Sequence, residues 1–179
     1  MSRVIGGTAG GRRLLMPRGR GTRPTSDRMR EGLFSALGGD LSGRSFLDLF
    51  AGSGAVGLEA ASRGAMPVVL VERDPAALRA LRSNVDTLDL PSVEVRAQPV
   101  GSFLAGEPSA YDVVFLDPPY ADSVDEVLAR LVDGGWLAAD AVVVVERSAR
   151  GEALRWPAGI EGDRSRRYGE GILWYGRGP

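Results

Sequence analysis

The four residues Asp117-Pro118-Pro119-Tyr120 carry the most specific chemistry in the chain. They follow the apolar run 111–116, which reads as a buried strand, so they fall where a parallel strand ends and its loop begins. Open α/β sheets bind their ligands at that end. A carboxylate there can accept hydrogen bonds from an exocyclic amine. Two prolines stiffen the backbone, and an aromatic ring can stack on a flat base. Such an amine is a weak nucleophile because its lone pair is delocalised into the ring. Asp117 and the carbonyl of Pro118 are the expected acceptors, Pro119 completes the rigid turn, and Tyr120 is the expected stacking partner. Together with a glycine-rich loop upstream, the tetrapeptide points to transfer of a methyl group from S-adenosylmethionine to the amino group of a nucleobase.

The upstream loop runs Asp48-Leu49-Phe50-Ala51-Gly52-Ser53-Gly54. Glycines let the backbone approach a ligand and take positive φ, and the helix that follows aims its N-terminus at the same place. Phe50, Ala51, Gly52, Ser53 and Gly54 are therefore candidate cofactor contacts. Glu72 ends the next strand about twenty residues on, where an acid can bind ribose hydroxyls, and it and the adjoining Arg73 are candidate cofactor contacts. Gly52, Gly54 and Gly57 also satisfy the spacing of dinucleotide-binding loops. Asp48 argues for the methyl donor, since a carboxylate before the turn suits the ammonium of a methionine moiety and suits a pyrophosphate badly. Gln98, after the third strand, is the candidate for the adenine.

The missing residues exclude other chemistries. The chain has no Cys, no His and no Lys, and all 22 basic side chains are Arg. No catalytic thiol, Ser-His-Asp triad or Schiff-base lysine can be built. A zinc site is not expected, and base methylation through a cysteine adduct is excluded. Direct attack by an amine on an activated methyl needs none of these. With no signal-peptide pattern and no long apolar run, the expected location is the cytoplasm, with no membrane and no metal.

Net charge is only −1, but it is unevenly spread. Residues 1–30 hold eight Arg against Asp27 alone, a local +7; residues 45–146 hold six Arg and sixteen acids, a local −10. A basic arm on an acidic body suggests a polyanionic partner. Arg3, Arg12, Arg13, Arg18, Arg20 and Arg23 are the expected nucleic-acid contacts.

The elements that position these residues follow from periodicity. Residues 1–24 read as a basic arm or small hairpin, closed by Pro17, and residues 25–179 as the methyltransferase domain. Thr25-Ser26-Asp27 offers N-cap chemistry for a helix with Met29, Leu33, Phe34 and Leu37 at helical spacing. Strands at 45–50, 67–72, 93–97, 111–117 and 141–146 then alternate with helices at 56–63, 75–88 and near 124–132. This predicts an α/β, Rossmann-like parallel sheet covered on both faces. Residues 153–156 and 171–175 are expected to finish the sheet as an antiparallel pair. Trp136, Phe103 and Leu104 read as core.

In this order the motifs resemble a known family. Arg3-Val4-Ile5-Gly6-Gly7, Arg23-Pro24-Thr25-Ser26-Asp27-Arg28-Met29-Arg30-Glu31, the loop from Asp48 to Gly57 and Asp117 to Tyr120 span nearly the whole chain. The chain is similar to the one-domain bacterial methyltransferases that modify N2 of a guanine in small-subunit (16S) ribosomal RNA. The resemblance implies a class I S-adenosylmethionine-dependent fold of seven strands, the last pair antiparallel. It implies 16S ribosomal RNA as partner, within a small subunit or an assembly intermediate; the chain is expected to be a monomer. It also implies that Thr25, Asp27 and Arg28 lie over the cofactor pocket. Two alternatives stay open: a DNA methyltransferase acting on adenine N6 or cytosine N4, and a non-catalytic nucleotide-binding module.

Overall fold

In the computed structural model, residues 2–17, 26–119 and 123–179 are described. Thr25, Arg18, Arg20, Arg23 and Tyr120 lie outside them. The chain begins with a two-stranded hairpin, β1 (Ser2–Arg3) and β2 (Arg13–Leu14). Helix α1 (Asp27–Ala36) follows, capped by Ser26, whose Oγ accepts the N–H of Met29. Then come β3 (Phe46–Leu49), α2 (Ala55–Ser62), β4 (Val68–Glu72), α3 (Pro75–Leu88), β5 (Val93–Ala97) and α4 (Val100–Leu104). The chain closes with β6 (Tyr111–Leu116), α5 (Val124–Asp133), β7 (Leu137–Ser148), β8 (Glu161–Tyr168) and β9 (Gly171–Arg177).

The main sheet has seven strands in the order β5-β4-β3-β6-β7-β9-β8. Its first five strands are parallel, and β9 is antiparallel to both β7 and β8. From β3 the chain winds outward to β4 and β5, then returns to place β6 on the other side. The loops after β3 and β6 therefore diverge at the point where strand order reverses, and a crevice opens there.

Alternation along the strands divides the core into two layers. Phe46, Val113, Phe115 and Val144 pack with Leu33 and Phe34 of α1, Leu58 of α2 and Leu81 of α3. Leu47, Leu49, Val114, Leu116 and Val145 pack on the other face with Phe103 of α4 and Leu128 and Leu131 of α5. Trp136, Phe103 and Leu104 are buried, as their sequence predicts. Asp74 caps α3 through the N–H of Ala77, with Pro75 in the first turn.

The end of the sheet differs from the expectation. Residues 153–156 form no strand, and the partner of β9 is the polar segment Glu161–Tyr168. The reason is exposure: β8 is an edge strand with every residue but the last exposed, so no apolar alternation marks it. Trp156 has a different task, filling the space beside Gly162 and Gly176. The fifth parallel strand is also longer than predicted, because β7 pairs with β9 through Ser148.

Candidate active site

A cavity of about 1150 Å³ occupies the crevice at the strand-order reversal. One wall is the turn after β3. Phe50 takes a left-handed φ of 67°, and Gly52 and Gly54 follow at 58° and 83°. The Gly52 N–H donates to Glu72 Oε2 at 2.7 Å, which ties the turn to the end of β4. The other oxygen of Glu72 accepts the N–H groups of Arg73 and Asp74. This carboxylate is thereby fixed at the cavity wall with its position set by three backbone donors.

The glycines divide their labour. A Cβ at Gly52 would meet nothing within 4 Å, so that glycine leaves open space against the cavity. A Cβ at Gly54 would lie 2.4 Å from Leu81 Cδ1, so its smallness serves packing beneath the turn. Gly57 allows α2 to press on the sheet, since a Cβ there would come within 2.0 Å of Leu70 Cδ2. Its N–H donates to Asp48 Oδ2 at 2.9 Å. Burial outweighs that bond and pushes the Asp48 carboxyl up to about 8, helped by the charge of Glu72.

A second wall is the end of β6, with Asp117, Pro118 and Pro119. Asp117 is also pushed up to about 8, first by burial, then by the charges of Glu146 and Asp48, against which Arg147 acts. Ala51, Ser53, Arg73, Gln98 and Arg28 complete the expected residues that line this cavity. Asp27 is instead the ion-pair partner of Arg30, at 2.6 Å.

The basic hairpin is bolted to the body beside this site. Val4, Ala9 and Leu14 are buried in the core layer of α1–α3. Glu59 of α2, fully buried, accepts the N–H groups of Ile5 and Gly6 and the Nε–H of Arg63. Arg30, also fully buried, donates to Ser2 Oγ, the Arg3 carbonyl and the Ala55 carbonyl. Asn84 of α3 accepts the Leu15 N–H at 2.7 Å and donates to the carbonyls of Leu15 and Ser53, both at 2.9 Å. One buried amide therefore joins the chain after the hairpin to the glycine turn, and Met16 and Pro17 reach the cavity wall. Arg12 donates to the carbonyls of Thr87 and Leu88 at the end of α3, whereas the side chains of Arg3 and Arg13 face outward.

Sequence reading missed a third wall: Glu146 and Arg147 near the end of β7, Arg150 just after it, and Tyr168 to Gly171 at the turn between β8 and β9. A signal existed for Glu146. It ends the apolar run 141–145 as Glu72 ends 68–71 and Asp117 ends 113–116. Nothing local marks the β8–β9 turn, which reaches the cavity only through the antiparallel topology.

Residues 2–177 match the family described as Conserved hypothetical protein 95. The chain is 43% identical over 145 residues to the Ribosomal RNA small subunit methyltransferase D of Escherichia coli strain K12, covering 80% of this chain and 73% of that protein. It is 38% identical over 149 residues to the protein of the same name from Haemophilus influenzae, covering 80% and 77%. The solved structure of yhhF from Escherichia coli, described as a methyltransferase, superposes with a TM-score of 0.89 at 36% identity, over 98% of this chain and 97% of that one.

Proposed function

The chain belongs to the Conserved hypothetical protein 95 family, and from that premise we propose that it methylates the exocyclic N2 of a guanine in the 16S ribosomal RNA of the small subunit, using S-adenosylmethionine. The observation that carries the reading is the meeting, across one cavity, of the glycine turn after β3 and Asp117-Pro118-Pro119 after β6. The residues fit the cofactor. Gly52 leaves open space against the cavity, Glu72 is held by backbone donors at the end of β4 and can take ribose hydroxyls, and buried Asp48 suits the ammonium of the methionine moiety. When bound, the cofactor supplies a methyl group made electrophilic by its sulfonium.

The chain's own residues do the rest by position. Asp117 accepts a hydrogen bond from the amine of the base, and the Pro118 carbonyl accepts the second, drawing N2 toward the tetrahedral geometry of attack. Tyr120, next in sequence, supplies a ring for the flipped base. As N2 bonds to the methyl carbon it loses one proton. A carboxyl held near 8 in the empty site can take that proton at neutral pH once its own has left.

The test is methylation of small subunits isolated from a strain lacking this gene, with the product nucleoside identified by mass. N2-methylguanine in ribosomal RNA is expected, with turnover by Asp117→Ala reduced at least 100-fold and cofactor affinity near wild type. N6-methyladenine in DNA without N2-methylguanine would replace this reading with the DNA one. Full activity in Asp117→Ala would remove the role given to that carboxylate.

A further inference from the structure

Adjacent strands β3, β6 and β7 bring three acids to one face of the sheet. Leu116 is opposite Val145 in the parallel pairing of β6 with β7, so Asp117 and Glu146 are the next residues in step on neighbouring strands. Phe115 and Val144 face the layer of α1–α3. Alternation turns Asp117 and Glu146 to that same face, where Asp48 already lies one pleat deeper on β3. Both acids line the cavity. Their proximity is felt electrically, since the charge of Glu146 is the largest cause after burial that raises the Asp117 carboxyl. Gly171 of β9 flanks Glu146, with its Cβ position 3.6 Å from Oε1. Leu173 is the cross-strand neighbour of Glu146.

One carboxylate suffices to hold an amine, and a second beside it has lone pairs enough to accept from a different donor next to that amine, whatever else it holds. The Watson–Crick edge of guanine offers one: N1–H lies directly beside the N2 amine. Adenine and cytosine present a lone pair at the corresponding ring nitrogen. An ionised carboxylate accepts only, so it welcomes N1–H and repels a lone pair.

We propose that Glu146 is the guanine-selecting residue of this site, its carboxylate accepting N1–H of the base whose N2 amine is held by Asp117. This rests on the reading of the site as a guanine-N2 methyltransferase. The contact also serves the chemistry: a hydrogen bond from N1–H to a carboxylate pushes electron density into the guanidine-like group and makes N2 a better nucleophile. Discrimination follows from the acceptor-only nature of the group, because a base lacking the proton leaves Glu146 facing a lone pair.

The experiment compares wild-type protein with Glu146→Gln on small subunits rebuilt around ribosomal RNA that carries either guanine or 2-aminopurine at the position methylated by the wild type. 2-Aminopurine keeps the 2-amino group and lacks the proton on N1. Wild type should favour guanine in kcat/KM by about 100-fold or more. In Glu146→Gln, guanine should lose about 10- to 100-fold. The 2-aminopurine substrate should lose little or gain, because an amide can turn its NH₂ toward N1. The ratio of the two therefore narrows at least tenfold. Glu146→Asp, which keeps an acceptor-only group, should retain the guanine preference at a lower rate, and calorimetry with S-adenosylhomocysteine shows whether each variant keeps a formed cofactor site. An unchanged ratio in Glu146→Gln would overturn the assignment, whatever the absolute rate. If the wild type makes no N2-methylguanine at all, the underlying reading of the site falls instead, so the two failures are distinct.

Discussion

Asp48 and Asp117 hold their protons far more tightly than free aspartates, near 8 against an ordinary 3.8. The first cause is the same for both: a carboxylate inside the fold loses water that the Gly57 N–H beside Asp48, or the charge of Arg147 acting on Asp117, does not replace. The consequence has a definite sign. Between roughly pH 4 and pH 8 the folded chain binds more protons than the unfolded chain, so stability falls as pH rises through that window. The cofactor-free protein should therefore melt at a lower temperature at pH 8 than at pH 6, and Asp48→Asn with Asp117→Asn should flatten the slope. A cation placed beside Asp48 favours its ionised form, so affinity for S-adenosylmethionine should rise over the same interval. Calorimetry at pH 6, 7 and 8 checks this, and an affinity flat across those values would sink the linkage. The identities of these acids were legible in the sequence because each closes an apolar strand or opens a turn. Their acidity was not, because it depends on neighbours brought from other strands.

At the scale of elements, the glycine turn is held from three directions. Glu72 grips it from β4, Arg30 reaches the Ala55 carbonyl from α1, and Asn84 takes the Ser53 carbonyl from α3. Asn84 is the most exposed to test, because its amide also carries both backbone groups of Leu15. Replacing it with Ala leaves a buried carbonyl unpaired, at a cost of about 1–3 kcal/mol. Urea unfolding of Asn84→Ala should show that loss, and cofactor affinity should drop about tenfold as the turn loosens. An unchanged affinity in a folded variant would mean that Glu72 and Arg30 hold the turn without help. The central parallel strands and their helices could be read from the sequence because both faces of β3, β4 and β6 are buried and the helix caps are local, as with Ser26 and Asp74. β8 could not, because an edge strand open to water is free to be Arg-rich. Short α4, only Val100–Leu104, likewise gives too few turns for a period to show.

Across the whole molecule, charge and packing meet in the N-terminal segment. The +7 of residues 1–30 stands against the −10 of residues 45–146, a separation visible in composition alone. The docking of the hairpin was not visible, since it rests on Glu59, Arg30 and Asn84 more than twenty residues away from their partners. Removing residues 1–20 would therefore strip Val4, Ala9 and Leu14 from the core and leave Glu59 without two of its donors, confusing charge with packing. Arg12 is a poor probe for the same reason, being hydrogen-bonded to the end of α3. Arg3 and Arg13 are exposed and can be neutralised without touching those contacts. If four to six arginines of the segment meet RNA phosphates, the slope of log K against log salt should be roughly −3 to −5. Arg3→Gln with Arg13→Gln should make it shallower by roughly 1.5, weaken binding to small subunits at low salt, and leave the affinity for S-adenosylhomocysteine within twofold. Filter binding between 50 and 200 mM salt, roughly the range over which phosphate contacts are lost, measures the slope directly. A slope identical to wild type would place the phosphate contacts elsewhere, with Arg28, Arg147 and Arg150 at the cavity wall the next to be changed.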